Sequence, residues 1–273
     1  MHVSSPTLVR LGQSLTSRVL EPALGVTYLD VPIVDLPADL DGFTLAQISD
    51  LHFGRDVWSP VHLDRALDVI CEARPDLIVN TGDYMYKWPP VERFEPAIRA
   101  LADLGIPRVS ILGNHDWYGG PDPACALTRV LRSAGETVLF NESWTCRRGD
   151  AEITFVGLSA DGPDEELNRG IDNLLAAPRP RIVLIHEPDL ILRLPVASAD
   201  LVLAGHTHAG QIALPGLRPW TVRHFCGSNF VEGRYDTNGN RMYVNRGLGC
   251  VGFPLRFRAS PEVTMVRLRP ALR

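Results

Sequence analysis

The chain has 273 residues, of which 45% are hydrophobic and 22% charged, enough for one large domain with a substantial core or at most two small ones. A net charge of −5 excludes a global basic field that would recruit nucleic acid. The five cysteines (Cys71, Cys125, Cys146, Cys226 and Cys250) are odd in number, widely spaced and without a C-x-x-C pair, which argues against a disulfide framework and a thiolate zinc site and for free thiols in a reducing compartment.

At the start of the chain, Ser5-Pro6 reads as a helix cap followed by proline at the first helical position. Leu8, Leu11, Leu15 and Val19 then recur at helical spacing with Arg10 and Arg18 beside them, although Gly12 interrupts the pattern. The expectation is an amphipathic helical extension over residues 1–24. It would dock on its own domain or a second subunit, with peripheral attachment to a membrane as the lesser alternative. No run approaches the roughly 18 apolar residues needed to span a bilayer, and no compact apolar core marks a secretory signal. A soluble, cytoplasmic protein is expected, with residues 25–273 forming a single domain.

Within that domain, Phe43 to Ser49 (FTLAQIS) reads as a strand, and Ser59-Pro60 opens a helix running through Ala73. Asp76 to Asn80 (DLIVN) is a second strand, followed by a helix ending near Gly105, and Val109 to Leu112 is a third. Asp122-Pro123 starts a helix that Gly135 stops, and Ile153 to Leu158, Arg181 to Ile185 and Leu201 to Ala204 continue the strands. These runs are apolar throughout rather than alternating, as strands covered on both faces should be, and their alternation with helices predicts a layered α/β fold. The final sixty residues are broken by glycine and proline into short pieces such as Met242-Tyr243-Val244. They are read as the more antiparallel half of the same domain.

Residue types that ligate metals follow the C-terminal ends of successive strands, the edge at which sites assemble in open α/β sheets. After FTLAQIS comes Asp50-Leu51-His52, whose two polar side chains would point the same way if the segment were extended. Gly82-Asp83 follows DLIVN, and Gly113-Asn114-His115-Asp116 follows the third strand. His186 follows RIVLI, and His206-Thr207-His208 follows LVLAG. A lone D-x-H, a lone histidine or one G-D turn is weak alone, since turns favour Gly, Asn and Asp. Turn chemistry does not call for five histidines in such places. Oxygen and imidazole donors without thiolate suit Mn, Fe, Zn, Co or Mg. Seven donors exceed what one tetrahedral ion needs, so two ions sharing a carboxylate fit better.

Together D-L-H, G-D, G-N-H-D, His186 and G-H-T-H resemble, in order and approximate spacing, the calcineurin-like metallophosphoesterase superfamily from Phe43 onward. GHTHAGQI (Gly205 to Ile212), YVNRGLG (Tyr243 to Gly249) and PLRFRASPEVTMVRL (Pro254 to Leu268) further resemble a bacterial branch of YkuE-like phosphodiesterases, with Ala209 in place of a glycine. That branch often carries an export signal or membrane segment, which is not read here. The resemblance implies a four-layer α/β/β/α sandwich of two mixed sheets flanked by helices. It implies that Asp50, His52 and His208 hold one divalent ion, that Asn114, His186 and His206 hold the other, and that Asp83 bridges them. His115 would be the acid that protonates the leaving oxygen, with Asp116 orienting it. A metal-bridging hydroxide would attack a phosphodiester or pyrophosphate, in a small phosphate ester such as a nucleotide sugar or a lipid-linked substrate. The alternatives are a phosphomonoesterase or phosphoprotein phosphatase, disfavoured by Asp116 where those phosphatases have Glu, and a non-catalytic binding module, disfavoured by the complete donor set.

Arg55 and Arg246 are candidate phosphate contacts, alongside Asn114 and His115, and Gln211 is a candidate partner for a metal ligand. Trp58, Tyr84, Tyr86, Trp88, Trp117 and Tyr118 lie close in sequence to the proposed ligands and would shape a pocket or pack loops. His62, placed on a surface helix, and His2 and His224, which lie in no motif, are read as non-ligands.

Overall fold

The computed structural model describes residues 23–54, 61–86 and 94–271. The predicted N-terminal helix and Arg55, Trp58 and Trp88 therefore lie outside the described residues. The first sheet has the order β1 (Gly25–Ile33), β12 (Glu262–Pro270), β2 (Thr44–Ile48), β3 (Leu77–Asn80), β4 (Arg108–Ser110), β5 (Glu136–Val138). The second runs β10 (Gly233–Thr237), β11 (Asn240–Val244), β9 (Leu201–Ala204), β8 (Arg181–Ile185), β7 (Ala151–Leu158), β6 (Glu142–Arg148). Both are mixed. Strands β2 to β5 are parallel, as are β7, β8, β9 and β11, while antiparallel pairs join β12 to β2, β6 to β7 and β10 to β11.

Side chains alternate between the two faces of each strand, so every central strand feeds two cores. Leu45, Leu77, Val79 and Val109 point from the first sheet onto Phe155, Ile182, Leu184, Leu201 and Leu203 of the second. Ala46, Ile48 and Ile78 face outward against α1 (Val61–Ala73), α2 (Glu95–Asp103) and α4 (Pro121–Ser133), which contribute Leu67, Ile70, Ile98, Leu101 and Leu127, and the short α3 (Asn114–Trp117) follows β4. On the far side, Val156, Val183 and Val202 pack against Leu167 and Leu174 of α5 (Asp164–Ala176). The layers are therefore α/β/β/α, as the resemblance implied. Truncating a side chain at the sheet–sheet interface, for example Phe155→Ala, costs about 3–5 kcal/mol.

The strand and helix ends fall close to those read from sequence, but several elements were not read at all. Strand β1 is one: only its inner face is buried, and Pro32 interrupts it. A proline is tolerated there because β1 is the edge strand, bonded only to β12 across the whole length of the domain. Strands β5 and β6, helix α5 and helix α6 (Arg218–Cys226) were also missed. The last sixty residues are less antiparallel than expected. Strand β11 extends the second sheet in parallel with β9, and β12 lies parallel to β1 in the first sheet. His62, expected at the surface, is buried in α1. Among the described residues no helix is long and apolar enough to cross a membrane.

Beneath the edge from which the motif loops leave, Gln47 on β2 donates to the carbonyl of Ala204 on β9 at 3.0 Å and to the Thr81 hydroxyl at 3.2 Å. These bonds fix the two sheets in register where their loops meet.

Candidate metal centre

The motif loops leave β2, β3, β4, β8 and β9 at their C-terminal ends and converge across the gap between the sheets. The D-L-H segment is not extended. Asp50, His52, Asp83, His206 and His208 all have left-handed backbones, with φ of 53°, 51°, 56°, 74° and 48°. Such conformations cost a non-glycine residue about 1–3 kcal/mol, so the surrounding bonds must hold them. The amide of Asp50 bonds to the Gly82 carbonyl at 2.9 Å and that of His52 to the Asp83 carbonyl at 3.1 Å. Two glycines permit the close approach: a Cβ on Gly113 would lie 2.6 Å from the Asp83 amide nitrogen, and one on Gly205 would lie 2.7 Å from Asp50 Oδ2.

The first donor group is Asp50, His52 and His208, all buried. His52 Nε2 lies 2.9 Å from His208 Nε2 and 3.9 Å from Asp50 Oδ1, and His208 Nε2 lies 3.4 Å from the same oxygen. Both Asp50 oxygens accept from the His206 amide at 3.1 Å. Burial pulls the His52 imidazole down to about 3 and, with His52 and Arg256 nearby, holds His208 well below its usual range. Both rings are therefore neutral donors at physiological pH.

The second group is Asp83, His186 and His206, with Asn114 beside them. His186 Nε2 lies 3.2 Å from Asp83 Oδ2 and 3.1 Å from Asn114 Oδ1; His206 Nδ1 lies 3.1 Å from that amide oxygen. The Tyr118 hydroxyl accepts from Asn114 Nδ2 at 2.9 Å, which turns the amide oxygen inward. Asp83 Oδ1 takes the His115 amide at 2.9 Å, while Oδ2 faces His186 and, at 3.6 Å, His52 of the first group. One carboxylate therefore touches both groups. Burial favours neutral His186, but Asp83 outweighs it and lifts the imidazole to about 10. The same contact, with His52, holds Asp83 below the usual carboxylate range against its own burial.

The outer nitrogen of each ring is engaged: His186 Nδ1 with the Thr81 carbonyl at 2.8 Å, His206 Nε2 with that of Cys226 at 2.9 Å and His52 Nδ1 with that of Met85 at 3.4 Å. A carbonyl there accepts the ring N–H and leaves the inner nitrogen of a neutral ring as a lone pair, which His186, charged beside Asp83, gains only when it gives up its second proton. His208 differs, because its Nδ1 faces Arg256 Nη2 at 2.9 Å. Arginine can only donate, so the inner Nε2 carries the ring proton in the metal-free protein and shares it with His52. Buried lone pairs and carboxylates crowded onto two points fit two divalent cations, and little else would stabilise them there.

Arg256 is the functional residue that sequence reading missed. It is buried, has no carboxylate partner among the described residues, and donates from Nε to the Gly249 carbonyl at 2.9 Å and from Nη1 to the carbonyls of Arg246 and Ala259 at 2.8 and 3.1 Å. A signal was present in the PLRFR segment, but nothing in spacing connects it to His208.

His115 stands over the junction. One ring nitrogen lies within 4.8 Å of donor atoms of His52 and Asp83. Its ring packs edge-on to His52 at 4.8 Å, stacks on Tyr86 at 5.5 Å and meets Tyr118 at 4.4 Å. Its Nδ1 faces the Tyr86 carbonyl at 3.2 Å, so that carbonyl, rather than Asp116, orients the ring. Asp116 instead accepts the amides of Met85, Gly113 and Tyr84 at 2.8, 3.0 and 3.2 Å, fastening the Asp83 loop to the Asn114 loop. Burial and the nearby Asp83 raise its carboxyl to about 7.

Other expectations are corrected by position. Arg246 is held by Glu232 and Glu262, each at 3.4 Å, and by the Ser260 carbonyl at 3.0 Å, so its guanidinium is not free for phosphate. Gln211 ties down the Val251–Phe253 turn through bonds of 2.6–2.9 Å and does not support a ligand. Of the aromatic residues, Tyr86 and Tyr118 bracket His115, whereas Tyr84 bonds to Glu136 inside the core and Trp117 packs on Phe140. A cavity of about 180 Å³ opens beside His186, lined by Ser159, Asp161, Glu187 and Asp189 among others.

This fold places two donor groups that share a carboxylate, an arrangement that could hold two divalent ions. Residues 43–210, more than half of the chain, match the family of calcineurin-like phosphoesterases, and the chain belongs to that family. It is 36% identical over 262 residues to the uncharacterized metallophosphoesterase YkuE of Bacillus subtilis, covering 93% of this chain and 88% of that protein. It is 31% identical over 241 residues to the phosphodiesterase YaeI of Escherichia coli, covering 83% of this chain and 82% of that one. A transmembrane protein with a metallophosphoesterase domain from Danio rerio is 30% identical over 90% of this chain, which spans only 57% of that protein.

Proposed function

We propose that the protein is a two-metal phosphodiesterase, hydrolysing a phosphodiester or pyrophosphate bond in a small substrate with His115 as the acid. The observation that carries this reading is the shared carboxylate, with Asp83 Oδ2 3.2 Å from His186 and 3.6 Å from His52, beneath a histidine poised over both donor groups. Asp50, His52 and His208 would hold one divalent ion, Asn114, His186 and His206 the other, and Asp83 both. Bound there, the pair would lower the pKa of a water and offset charge on the phosphoryl oxygens.

The chain's own residues supply the rest. The Tyr86 carbonyl keeps a proton on His115 Nδ1, so Nε2 faces the reacting group and, when protonated, gives its proton to the departing oxygen. Asn114, with its NH₂ held by Tyr118, would present its amide oxygen to one ion. Asp116 holds the two loops at fixed separation and keeps Asp83 and His115 together. A diester is favoured over a monoester because the relative named for an activity, YaeI, is a phosphodiesterase.

The test is hydrolysis of bis-p-nitrophenyl phosphate and p-nitrophenyl phosphate by protein loaded with Mn²⁺, Zn²⁺, Fe²⁺ or Mg²⁺. The expected result is faster turnover of the diester, abolished by chelator and restored by metal. Faster turnover of the monoester would overturn the diester assignment, and no turnover of either with any metal would remove the enzymatic one.

A further inference from the structure

Helix α6 and the two loops packed on it carry large apolar side chains that the core does not take up. Trp220 is 58% exposed, Phe225 76% and Phe253 72%, and Leu217 and Phe257 are also open. They form one surface. Phe257 pairs with the chain at Gln211–Ala213, just before α6, and Arg218 Nη2 in α6 donates to the Arg258 carbonyl at 3.0 Å. Trp220 stacks on His224 at 4.9 Å, and Phe225 meets both rings edge-on.

The charge of this surface is mostly positive, with Glu232 and Asp189 at its edge, bonded to Arg218 and to Asn229. No Asp or Glu occurs from Gln211 to Val231 or from Leu248 to Pro261, in a chain whose net charge is −5. Arg223 and Arg258 are exposed there, and among the described residues neither pairs with a carboxylate. The surface also adjoins the metal centre, since the carbonyl of Cys226, the last residue of α6, holds His206 at 2.9 Å.

We infer that this face docks on a lipid bilayer containing anionic phospholipid and brings the mouth of the metal centre to the headgroup layer. Exposed tryptophan and phenylalanine suit the boundary between headgroups and acyl chains, and unpaired arginines beside them suit anionic headgroups. A protein partner would more commonly meet an apolar patch rimmed by charges of both signs. Here the arginines Arg223 and Arg258 point outward, while the carboxylates at the edge are already engaged, Glu232 by Arg218 and Arg246 and Asp189 by Asn229. The inference adds a location to the proposed phosphodiesterase but does not depend on turnover, so the two can fail separately.

The experiment is sedimentation of the full chain with sucrose-loaded vesicles of phosphatidylcholine, with and without phosphatidylglycerol. Two variants accompany it, Arg223→Glu/Arg258→Glu and Trp220→Ser/Phe225→Ser. The wild type should bind the anionic vesicles and not phosphatidylcholine alone. Each arginine reversal should weaken binding by roughly fivefold or more, and the aromatic variant should lose binding to the anionic vesicles. Both variants should hydrolyse soluble bis-p-nitrophenyl phosphate at the wild-type rate. Failure of the wild type to bind anionic vesicles would overturn the inference. So would equal binding by wild type and variants, which would put any membrane contact elsewhere, such as residues 1–24. A wild-type dimer that the aromatic variant converts to monomer would assign the face to a second copy of the chain and overturn it as well.

Discussion

The two donor groups differ in enclosure although they share Asp83. Asp50, His52 and His208 are buried, and one of their rings is backed by Arg256, itself buried. In the other group Asn114 and His206 are partly exposed, His186 borders a cavity, and the rings are backed by main-chain carbonyls. The inner group is closed to solvent like a structural pocket, whereas the outer group borders an open cavity. A fold that joins an enclosed site to an open one through one carboxylate can retain one ion firmly and leave coordination space at the other.

The largest expected effect removes what the groups share. Asp83→Asn should lower diester turnover by more than about a thousandfold, beyond the 10²–10³ of a single lost charge-stabilising group, and metal analysis should find both sites depleted. Depletion of one site only would break the symmetry assigned to Asp83. His115→Ala should cost about 10²–10⁴ in kcat with metal content unchanged, because its side chain stands above both groups. Loss of metal in that variant would make His115 structural.

Arg256→Met probes the inner group alone. Inner-site affinity should fall by about 10–100-fold while the outer site binds as before, read from a competitive titration with a chromogenic chelator. Equal weakening of both sites would remove the distinction between them. The smallest effect concerns pH. In the metal-free protein Asp83 lifts His186 to about 10, so a proton competes with the outer ion. Outer-site affinity should therefore rise with pH, by up to about tenfold per unit below that value, and His52, held neutral near pH 3 and above, should add no such competition. An outer-site affinity flat from pH 6 to 8 would contradict the pairing of His186 with Asp83.

Much of this was legible in the sequence because metal donors carry their chemistry in their residue types, and the strands before them are continuous apolar runs. The reason given for Asp50 and His52 converging was nonetheless wrong. They meet through left-handed backbones beyond the end of β2, held by Gly82 and Asp83, and not through extended alternation. Asp116 was noticed for its type and given the wrong partner, since a carboxylate next to a histidine can equally collect amides from another loop. Arg256 was invisible because its partners are carbonyls and a histidine far away in the chain. Strand β1 has weak periodicity and a proline, and exists because β12 returns to pair with it. The exposed face of α6 was hidden for a related reason: apolar residues between glycines and prolines read as loop packing until their burial is known.

The most direct test of the two-metal account is metal stoichiometry joined to an anomalous-scattering map of the Mn²⁺-loaded protein. The account predicts two ions per chain roughly 3.5–4 Å apart, one among Asp50, His52 and His208 and one among Asn114, His186 and His206, with Asp83 between them. A single ion per chain at saturating metal, or a second ion bound away from Asp83, would contradict it.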